Sequence, residues 1–226
     1  MTDRTSPGDI RLICFDIGGV LVRICRTWPE ACAAAGLPWR EAIQAALTDT
    51  AERRRELVDH HQTGRMAIDP YCAAISEVIG GAYSAAEIRA IHDAWLLDAY
   101  EGVSGVVDAL HDAGLPTACL SNTNDVHWAR MNEFDAVARL RHRFASHLIG
   151  HHKPDAGIYE HFERAVGLPG AGAAIMFFDD REENVAAARE RGWHAVQIDP
   201  DACTATQISR ALEAHGVLCG ARVNVR

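Results

Sequence analysis

Five short apolar runs most restrict how this chain can fold. Each is bounded by glycine, proline or polar residues, as β-strands are, and together they cover residues 10–15, 116–120, 146–149, 174–178 and 195–198. Helix-like stretches at 103–113, 155–166 and 183–191 separate these runs, and each is followed by a glycine, a common helix stop. Alternating strands and helices predict an α/β fold, in which helices cover both faces of a parallel sheet.

The connection between the first two runs is far longer than a usual crossover. It spans residues 22–100, is rich in alanine, and has helical patterns at 42–57, 70–79 and 85–97. Asp69 followed by Pro70 predicts the start of the second helix, and Ser84 with Glu87 predicts a capping box on the third. We therefore predict a core made of 1–21 and 101–226, with a small helical cap at 22–100 inserted after the first strand.

Charge and cysteine content restrict the partners of the protein. The 226 residues carry a net charge of −9. General nucleic-acid binders are typically basic, so no nucleic-acid partner is predicted. The number of cysteines is odd and no C-x-x-C pair occurs, which predicts buried, reduced thiols. The seven are Cys14, Cys25, Cys32, Cys72, Cys119, Cys203 and Cys219.

The N-terminus and the lengths of the apolar runs bear on localisation. Residues 1–8 are polar and lack the apolar centre of a signal peptide. No apolar run approaches the ~20 residues that a membrane-spanning helix needs. We therefore expect a soluble cytoplasmic protein without a membrane partner, as a monomer or homodimer.

Polar residues follow four of the predicted strands, at the sheet edge where parallel sheets bind ligands. In chain order they are Asp16, then Ser121 and Asn122, then Lys153, and finally Asp179 and Asp180. Together they supply carboxylates, a hydroxyl, an amide and an ammonium group. Such a set can bind a metal ion and a phosphoryl group side by side.

Taken one at a time, these residues have simpler structural explanations. Asp16 is typical of a turn before Gly18 and Gly19, whereas Ser121 and Asn122 are typical helix caps. A lone lysine such as Lys153 is usually a solvated surface cation. Adjacent acidic residues at 179 and 180 are common at the start of a helix. Their occurrence in order at four strand ends favours one shared site over four unrelated roles.

The same residues carry a resemblance to a known family. Phe-Asp-Ile-Gly-Gly-Val-Leu at 15–21, Leu-Ser-Asn-Thr-Asn at 120–124, His-Lys-Pro-Asp at 152–155 and Phe-Phe-Asp-Asp at 177–180 resemble the four motifs of the haloacid dehalogenase superfamily. The residues of these motifs most resemble those of bacterial sugar-phosphate phosphatases and of the phosphatase domain of soluble epoxide hydrolase. The resemblance covers nearly the whole chain. It implies a Rossmann-like core and identifies 22–100 with the helical cap of that superfamily.

The resemblance implies a hydrolase that acts on a small phosphomonoester, with sugar phosphates as one candidate class. It implies that Asp16 is the nucleophile and forms an aspartyl-phosphate, a covalent step that divides hydrolysis into two easier displacements. Lys153 would neutralise the charge of the phosphate and the nucleophile. Ser121 and Asn122 would bind phosphate oxygens.

The resemblance also implies a magnesium cofactor, which prefers hard oxygen ligands. Its ligands would be the Asp16 carboxylate, the Gly18 backbone carbonyl and Asp180. Asp179 and Asn184 would orient the site without binding the ion directly.

Gly18 departs from the pattern of most phosphatases of this superfamily, which carry a second aspartate at that position. The missing side chain normally acts as general acid and then as general base, a contribution typically worth ~10²–10⁴-fold. Three explanations stay open. The substrate has a good leaving group, the proton comes from water or a cap residue, or the protein is a weak enzyme that mainly binds a phosphate ligand.

A 2-haloacid dehalogenase is the alternative reaction type. These enzymes also lack the second aspartate, and their nucleophilic aspartate displaces halide from carbon without a metal. Asp179 and Asp180 argue against this alternative, because adjacent carboxylates beside a metal-free anion site would repel the substrate.

Substrate specificity is expected to reside in the cap. Candidates for its pocket, each equally well explained as a surface or cap-core residue, are His60, His61, Arg65 and Trp95. Three consecutive arginines at 53–55 predict a solvated helix face. His152, next to Lys153, is a candidate for proton transfer.

Overall fold

The structure is a computed structural model and describes residues 10–41 and 43–218. Within that range the strands, in chain order, are β1 (Leu12–Phe15), β2 (Val22–Ile24), β3 (Leu96–Ala99), β4 (Thr117–Ser121), β5 (His142–Ala145), β6 (Ile175–Asp179) and β7 (His194–Gln197). Five of them form a parallel sheet in the order β5-β4-β1-β6-β7. The other two, β2 and β3, form an antiparallel pair. The predicted α/β class with a parallel sheet is confirmed.

Helices account for most of the remaining described chain. They are α1 (Trp28–Ala34), α2 (Ile43–Asp49), α3 (Ala51–Gln62), α4 (Ile68–Val78), α5 (Ala85–Asp93), α6 (Val103–Asp112), α7 (Asp125–Met131), α8 (Asp135–Ala138), α9 (Ser146–Ile149), α10 (Ala156–Ala165), α11 (Glu182–Glu190) and α12 (Thr204–Ala214). No helix among the described residues is long and apolar enough to cross a bilayer.

The side chains of β1 alternate between two apolar layers, because successive residues of a strand face opposite sides of the sheet. Ile13 and Phe15 pack with residues of α6 and α12 on one face. Leu12 and Cys14 pack with residues of α10 and α11 on the other. Burial on both faces explains why the central strands are continuous apolar runs in the sequence.

One predicted strand is wrong. Residues 146–149 form the short helix α9, and the strand that pairs with β4 is β5, directly before it. β5 lies at the edge of the sheet and contains His142 and Arg143, so it lacks the apolar run that marks a central strand. The other four strands overlap the predicted runs.

Residues between β1 and α6 form a third apolar cluster, made mostly of side chains from α1 to α5. The helix predicted at 42–57 is divided at Thr50 into α2 and α3, and its first residue, Ala42, lies outside the described residues. The third predicted helix ends at Asp93, and residues 96–99 form β3 instead. The division of the chain into 1–21, 22–100 and 101–226 stays a prediction.

Two helix starts were predicted in this region from capping residues, and only one of them is found. α4 begins at Ile68 with Ala67 as its N-cap, so Asp69 and Pro70 lie within its first turn and the predicted cap is wrong. The capping box of Ser84 and Glu87 at the start of α5 is confirmed.

The described cysteines are all free thiols, as predicted. Five of them are buried, but Cys203 is exposed, because it precedes the first turn of α12 at the surface. Cys219 lies outside the described residues.

Candidate active site

Asp16 directly follows β1 at the carboxyl edge of the parallel sheet. Its Oδ1 atom accepts a hydrogen bond from the backbone N–H of Ile17 at 2.7 Å. The same oxygen lies 3.0 Å from Nζ of Lys153. The carboxylate is therefore held by its own turn and by a residue from the loop between α9 and α10.

Lys153 is a buried cation between two carboxylates. Its Nζ lies 3.0 Å from Asp16 Oδ1 and 2.6 Å from Asp179 Oδ2, and its side chain has no exposed area. Burial by itself would lower the pKa of Lys153, but attraction by Asp16 and Asp179 outweighs it and raises that pKa. The ammonium group therefore stays charged.

Asn122 holds the backbone of Lys153 in place. Its Nδ2 donates to the carbonyl oxygen of Lys153 at 2.7 Å, and the backbone N–H of Lys153 donates to Asn122 Oδ1, also at 2.7 Å. This pair of bonds joins the end of β4 to the loop that carries the lysine. Because the amide is committed in this way, the phosphate contact predicted for Asn122 would fall to its backbone N–H or its second amide hydrogen, and it stays a prediction.

Asp179 has no exposed area and is surrounded by donors. Asn184 Nδ2 lies 3.0 and 3.1 Å from its two oxygens, and the backbone N–H of Arg181 donates to Oδ1 at 2.9 Å. Asn184 is itself held by the hydroxyl of Tyr159, which donates to its carbonyl at 3.0 Å. Asp179 is thus fixed in orientation beside Asp16, and the orienting role expected for it and for Asn184 stays a prediction.

Asp180 pairs with an arginine that sequence reasoning missed. Nη1 of Arg26 lies 2.6 Å from Asp180 Oδ2, although 154 residues separate the two. No local signal marks Arg26, which simply follows β2. Gly19 approaches the same carboxylate from the other side. A Cβ on Gly19, whose φ is +78°, would lie 2.7 Å from Cγ of Asp180.

The three aspartates form a cluster that suits a divalent cation. One carboxylate oxygen each from Asp16, Asp179 and Asp180 lies within 4.8 Å of the others. Burial raises the pKa of Asp16 to about 7, with further increases from Asp179 and Asp180 and a partial offset by Lys153. The three carboxylates can carry three negative charges, whereas Lys153 and Arg26 supply two positive charges. One negative charge is therefore uncompensated. Closely spaced hard oxygens with excess negative charge are what Mg²⁺ binds.

A cavity of about 710 Å³ opens from these residues toward α3, α4 and α5. The residues that line its sheet end include Asp16, Gly18, Ser121, Asn122, Asp180 and Asn184. The predicted site residues that surround the carboxylate cluster therefore meet at one cavity, except Lys153 and Asp179, which lie buried beneath it.

The sequence profile of the haloacid dehalogenase-like hydrolases matches residues 10–192, which is most of the chain. The chain belongs to this family of hydrolases. The match includes β1 with Asp16, residues 22–100, and the positions of Ser121, Lys153 and Asp180.

Solved structures share the fold of this haloacid dehalogenase-like hydrolase. A HAD family enzyme from Bacteroides thetaiotaomicron has a TM-score of 0.71 at 19% identity, covering 88% of this chain and 98% of that one. The wild-type form of that enzyme was solved in complex with magnesium and inorganic phosphate, with a TM-score of 0.65 at 20% identity over 85% and 96% of the chains. An L-2-haloacid dehalogenase has a TM-score of 0.58 at 23% identity, covering 86% and 87%.

Only some of the pocket residues predicted between 22 and 100 line the cavity of the hydrolase. His61 and Trp95 line it, whereas His60 and Arg65 are not among its lining residues. Of the three arginines predicted to be solvated, Arg54 lines the cavity and is partly buried. His152 does not line the cavity and instead lies 3.4 Å from Asp59 of α3.

A hydrogen-bond network that sequence reasoning missed joins α5 of the hydrolase to the start of α7. Nδ2 of Asn124 lies 3.2 Å from His92 Nε2 and 3.3 Å from His127 Nδ1. His127 Nε2 lies 2.7 Å from the carbonyl oxygen of His92 and must donate to it. Both imidazoles therefore accept a hydrogen from Asn124 and are neutral in this arrangement. Burial is the main cause that lowers the pKa of His92 to about 2 and of His127 to about 4.

Proposed function

We propose that this hydrolase is a magnesium-dependent phosphatase that acts on a small phosphomonoester through an aspartyl-phosphate on Asp16. The observation that carries the proposal is the buried ammonium of Lys153 between Asp16 and Asp179, with Asp180 completing a carboxylate cluster at the same cavity. Sugar phosphates are one candidate substrate class, because the motif residues resemble those of bacterial sugar-phosphate phosphatases.

The charge balance of the cluster supports a requirement for a cation. Its three carboxylates exceed Lys153 and Arg26 by one negative charge, which repels a phosphate monoester. We propose Asp16, the Gly18 carbonyl and Asp180 as ligands of Mg²⁺. When bound, the ion supplies positive charge to the phosphoryl oxygens. The magnesium and phosphate complex of the Bacteroides enzyme is consistent with this proposal.

In the proposed reaction, a carboxylate oxygen of Asp16 attacks phosphorus, and the bond from phosphorus to the ester oxygen breaks. The departing oxygen takes a proton from water, since Gly18 has no side chain to donate one. A second water then attacks phosphorus and gives its proton to the hydroxide left by the first water, the bond between phosphorus and Asp16 breaks, and inorganic phosphate is released. Lys153 offsets negative charge in both steps, while the hydroxyl of Ser121 donates to a phosphoryl oxygen.

We also propose that 22–100 works as the cap over the core of 1–21 and 101–226. The supporting observations are that Arg26, Arg54 and His61 from this segment line the same cavity as Asp16. The cap would exclude bulk water and select the leaving group.

A haloacid dehalogenase is the second candidate. One observation weakens the argument from sequence that Asp179 and Asp180 would repel its anionic substrate. Asp180 is paired with Arg26 and Asp179 with Lys153, so neither carboxylate opposes an anionic substrate as strongly as an unpaired one. The similar fold of an L-2-haloacid dehalogenase is compatible with this reaction. Halide release in the presence of EDTA distinguishes it from a phosphatase.

The central experiment removes the nucleophile. Asp16→Asn keeps the size of the side chain, but an amide is a poor nucleophile, so phosphatase turnover with Mg²⁺ should be lost while the fold is retained. Asp112→Asn, an exposed aspartate on α6, is the matched control and should retain full activity. Beryllofluoride with Mg²⁺ should bind wild type and Asp112→Asn but not Asp16→Asn. Hydrolysis by Asp16→Asn at the wild-type rate would show that Asp16 is only a turn residue.

A further inference from the structure

One face of α3 lines the cap end of the cavity. Arg54, Val58, His61 and Gln62 are spaced by four, three and one residues, and all four line the cavity. Residues at such spacings share one side of a helix. Arg53 and Arg55 lie on either side of this stripe and are exposed. Only the middle arginine of the three therefore faces the interior.

Arg54 carries an uncompensated positive charge. Its Nε and Nη2 atoms donate to the Thr50 hydroxyl and to the carbonyl oxygen of Leu47, but no carboxylate of the described residues forms an ion pair with it. Burial lowers the pKa of Arg54, and the only ionisable group that offsets this effect is Tyr71. A partly buried arginine without an anion is unusual, because burying a charge is costly unless it is paired.

The other partly buried arginines between residues 22 and 100 show the usual arrangement. Arg40 pairs with Glu87 at 2.5 Å, and Arg89 pairs with Asp93 at 3.0 Å. Among the partly buried arginines in the described part of this segment, Arg54 alone therefore lacks a carboxylate partner.

Two more polar side chains at this end of the cavity are uncommitted. The hydroxyl of Tyr71 and the amide of Gln62 make no hydrogen bond to any other side chain or backbone group in the described part of the chain. Around them the walls are apolar, formed by residues that include Trp28, Trp95 and Ile75. A guanidinium, a phenol and an amide on an apolar wall are donors suited to an oxyanion.

We propose that Arg54, assisted by Tyr71 and Gln62, binds a second anionic group, carboxylate or phosphate, on the leaving-group side of the substrate. This inference rests on the proposed phosphatase function, since it assigns the reacting phosphate to the opposite end of the same cavity. The substrate class that follows is a phosphomonoester whose alcohol part carries its own negative charge. The second charge supplies the partner that Arg54 lacks in the protein.

The test compares three esters that differ only in the group opposite the reacting phosphate. Phenyl phosphate has no second charge, 4-carboxyphenyl phosphate carries a carboxylate, and 1,4-phenylene bisphosphate carries a phosphate. kcat/KM is measured with Mg²⁺ for wild type, Arg54→Gln and Arg54→Lys. Arg55→Gln is the matched control, because it removes the same charge from the neighbouring, exposed position of the same helix.

Hydrogen bonds to charged groups are worth enough that Arg54→Gln should cost the charged esters about ten- to hundred-fold more in kcat/KM than phenyl phosphate. Arg54→Lys should give an intermediate loss, since lysine keeps the charge but not the planar fork of donors. Arg55→Gln should leave all three esters within about two-fold of wild type. The charged ester whose kcat/KM falls more in Arg54→Gln carries the anion that the site prefers. Equal losses for charged and uncharged esters would overturn the proposal.

A binding experiment separates this proposal from the phosphatase proposal. Isothermal titration calorimetry compares phenol with 4-hydroxybenzoate, which represent the leaving groups without the phosphate. Wild type should bind 4-hydroxybenzoate at least ten-fold more tightly than phenol, and Arg54→Gln should lose this preference. No preference in wild type would refute the anion site even if phosphatase activity is found. A preference without any turnover would retain the anion site and reject the phosphatase.

Discussion

Gly18 and Gly19 are adjacent, but their surroundings tolerate very different substitutions. A Cβ on Gly18 would meet Cδ1 of Ile24 at 3.3 Å and Cγ2 at 3.5 Å, both belonging to a flexible side chain, and Gly18 does not have a positive φ. Gly19 has a φ of +78° and no room beside Asp180. The backbone therefore requires glycine at 19 but not at 18, and the missing acid at 18 is a chemical feature of the site.

Gly18→Asp should accordingly fold and raise the rate for esters with poor leaving groups. The protonated carboxylic acid of an aspartate at this position can give its proton to the departing oxygen, a contribution of up to ~10²–10⁴-fold. Alkyl phosphates should gain most and aryl phosphates least, because phenolates leave without much protonation. The measurement is kcat/KM against leaving-group pKa. Gly18→Asn, which has similar bulk but no proton to give, is the control. A folded Gly18→Asp enzyme with no gain for any ester would mean that another group already supplies the proton.

At the scale of single elements, Asn124 both caps α7 and forms hydrogen bonds with two histidine side chains. Oδ1 of Asn124 accepts from the backbone N–H of His127 at 3.0 Å, which caps the helix. Nδ2 of the same residue serves the two imidazoles of His92 and His127. One amide therefore caps the start of α7 and ties that helix to α5.

Asn124→Ala should lower the free energy of unfolding by about 2–3 kcal/mol, from the lost helix cap and from imidazole nitrogens left without a donor. Urea unfolding followed by circular dichroism measures this loss. Asn124→Ser is the informative comparison, because serine also caps helices but has one hydrogen to donate instead of two. It should lose less than the alanine variant. An alanine variant within about 0.5 kcal/mol of wild type would contradict the network.

At the scale of the whole molecule, several long-range contacts join residues 22–100 to the rest of the chain. Besides the network at Asn124, the hydroxyl of Ser146 donates to the carbonyl oxygen of Gln62 at 2.5 Å, and Arg130 donates to backbone carbonyls of Asp93 and Leu96. The bonds from Asn124 depend on the protonation of His92 and His127, because a protonated imidazole cannot accept a hydrogen.

Stability should therefore fall as the pH drops below about 6.5. His127 has a pKa of about 4 in the folded chain, below its ordinary value, so the unfolded state binds its proton first. The stabilisation is complete above the unfolded pKa and is lost toward pH 4, in total about 3 kcal/mol for this residue. Urea titrations from pH 8 to 4.5 should show this decline. His127→Gln, which is neutral throughout, should reduce the slope by about 1.4 kcal/mol per pH unit, and an unchanged slope would contradict the buried neutral imidazole.

Local sequence was sufficient for the parts of the fold that depend on burial and chain direction. The central strands were predictable because they are buried on both faces and therefore consist mainly of apolar residues. Asp16, Ser121 and Asp180 were predictable as neighbours because parallel strands end at one edge, whatever their order in the sheet. The capping box of Ser84 and Glu87 was predictable because all its bonds form within four residues.

Tertiary structure alone decided the features that depend on where distant segments return. Arg26 reaches Asp180 across 154 residues, and His92 reaches Asn124 across 32, yet neither partner carries a local mark of the other. β5 was missed because an edge strand is only half covered and keeps polar residues. Arg54 could not be told from Arg53 and Arg55, because a run of three identical residues does not reveal which one a helix turns inward. Local composition indicates how deeply a strand or helix is buried, whereas the identity of a residue's neighbours depends on the path of the whole chain.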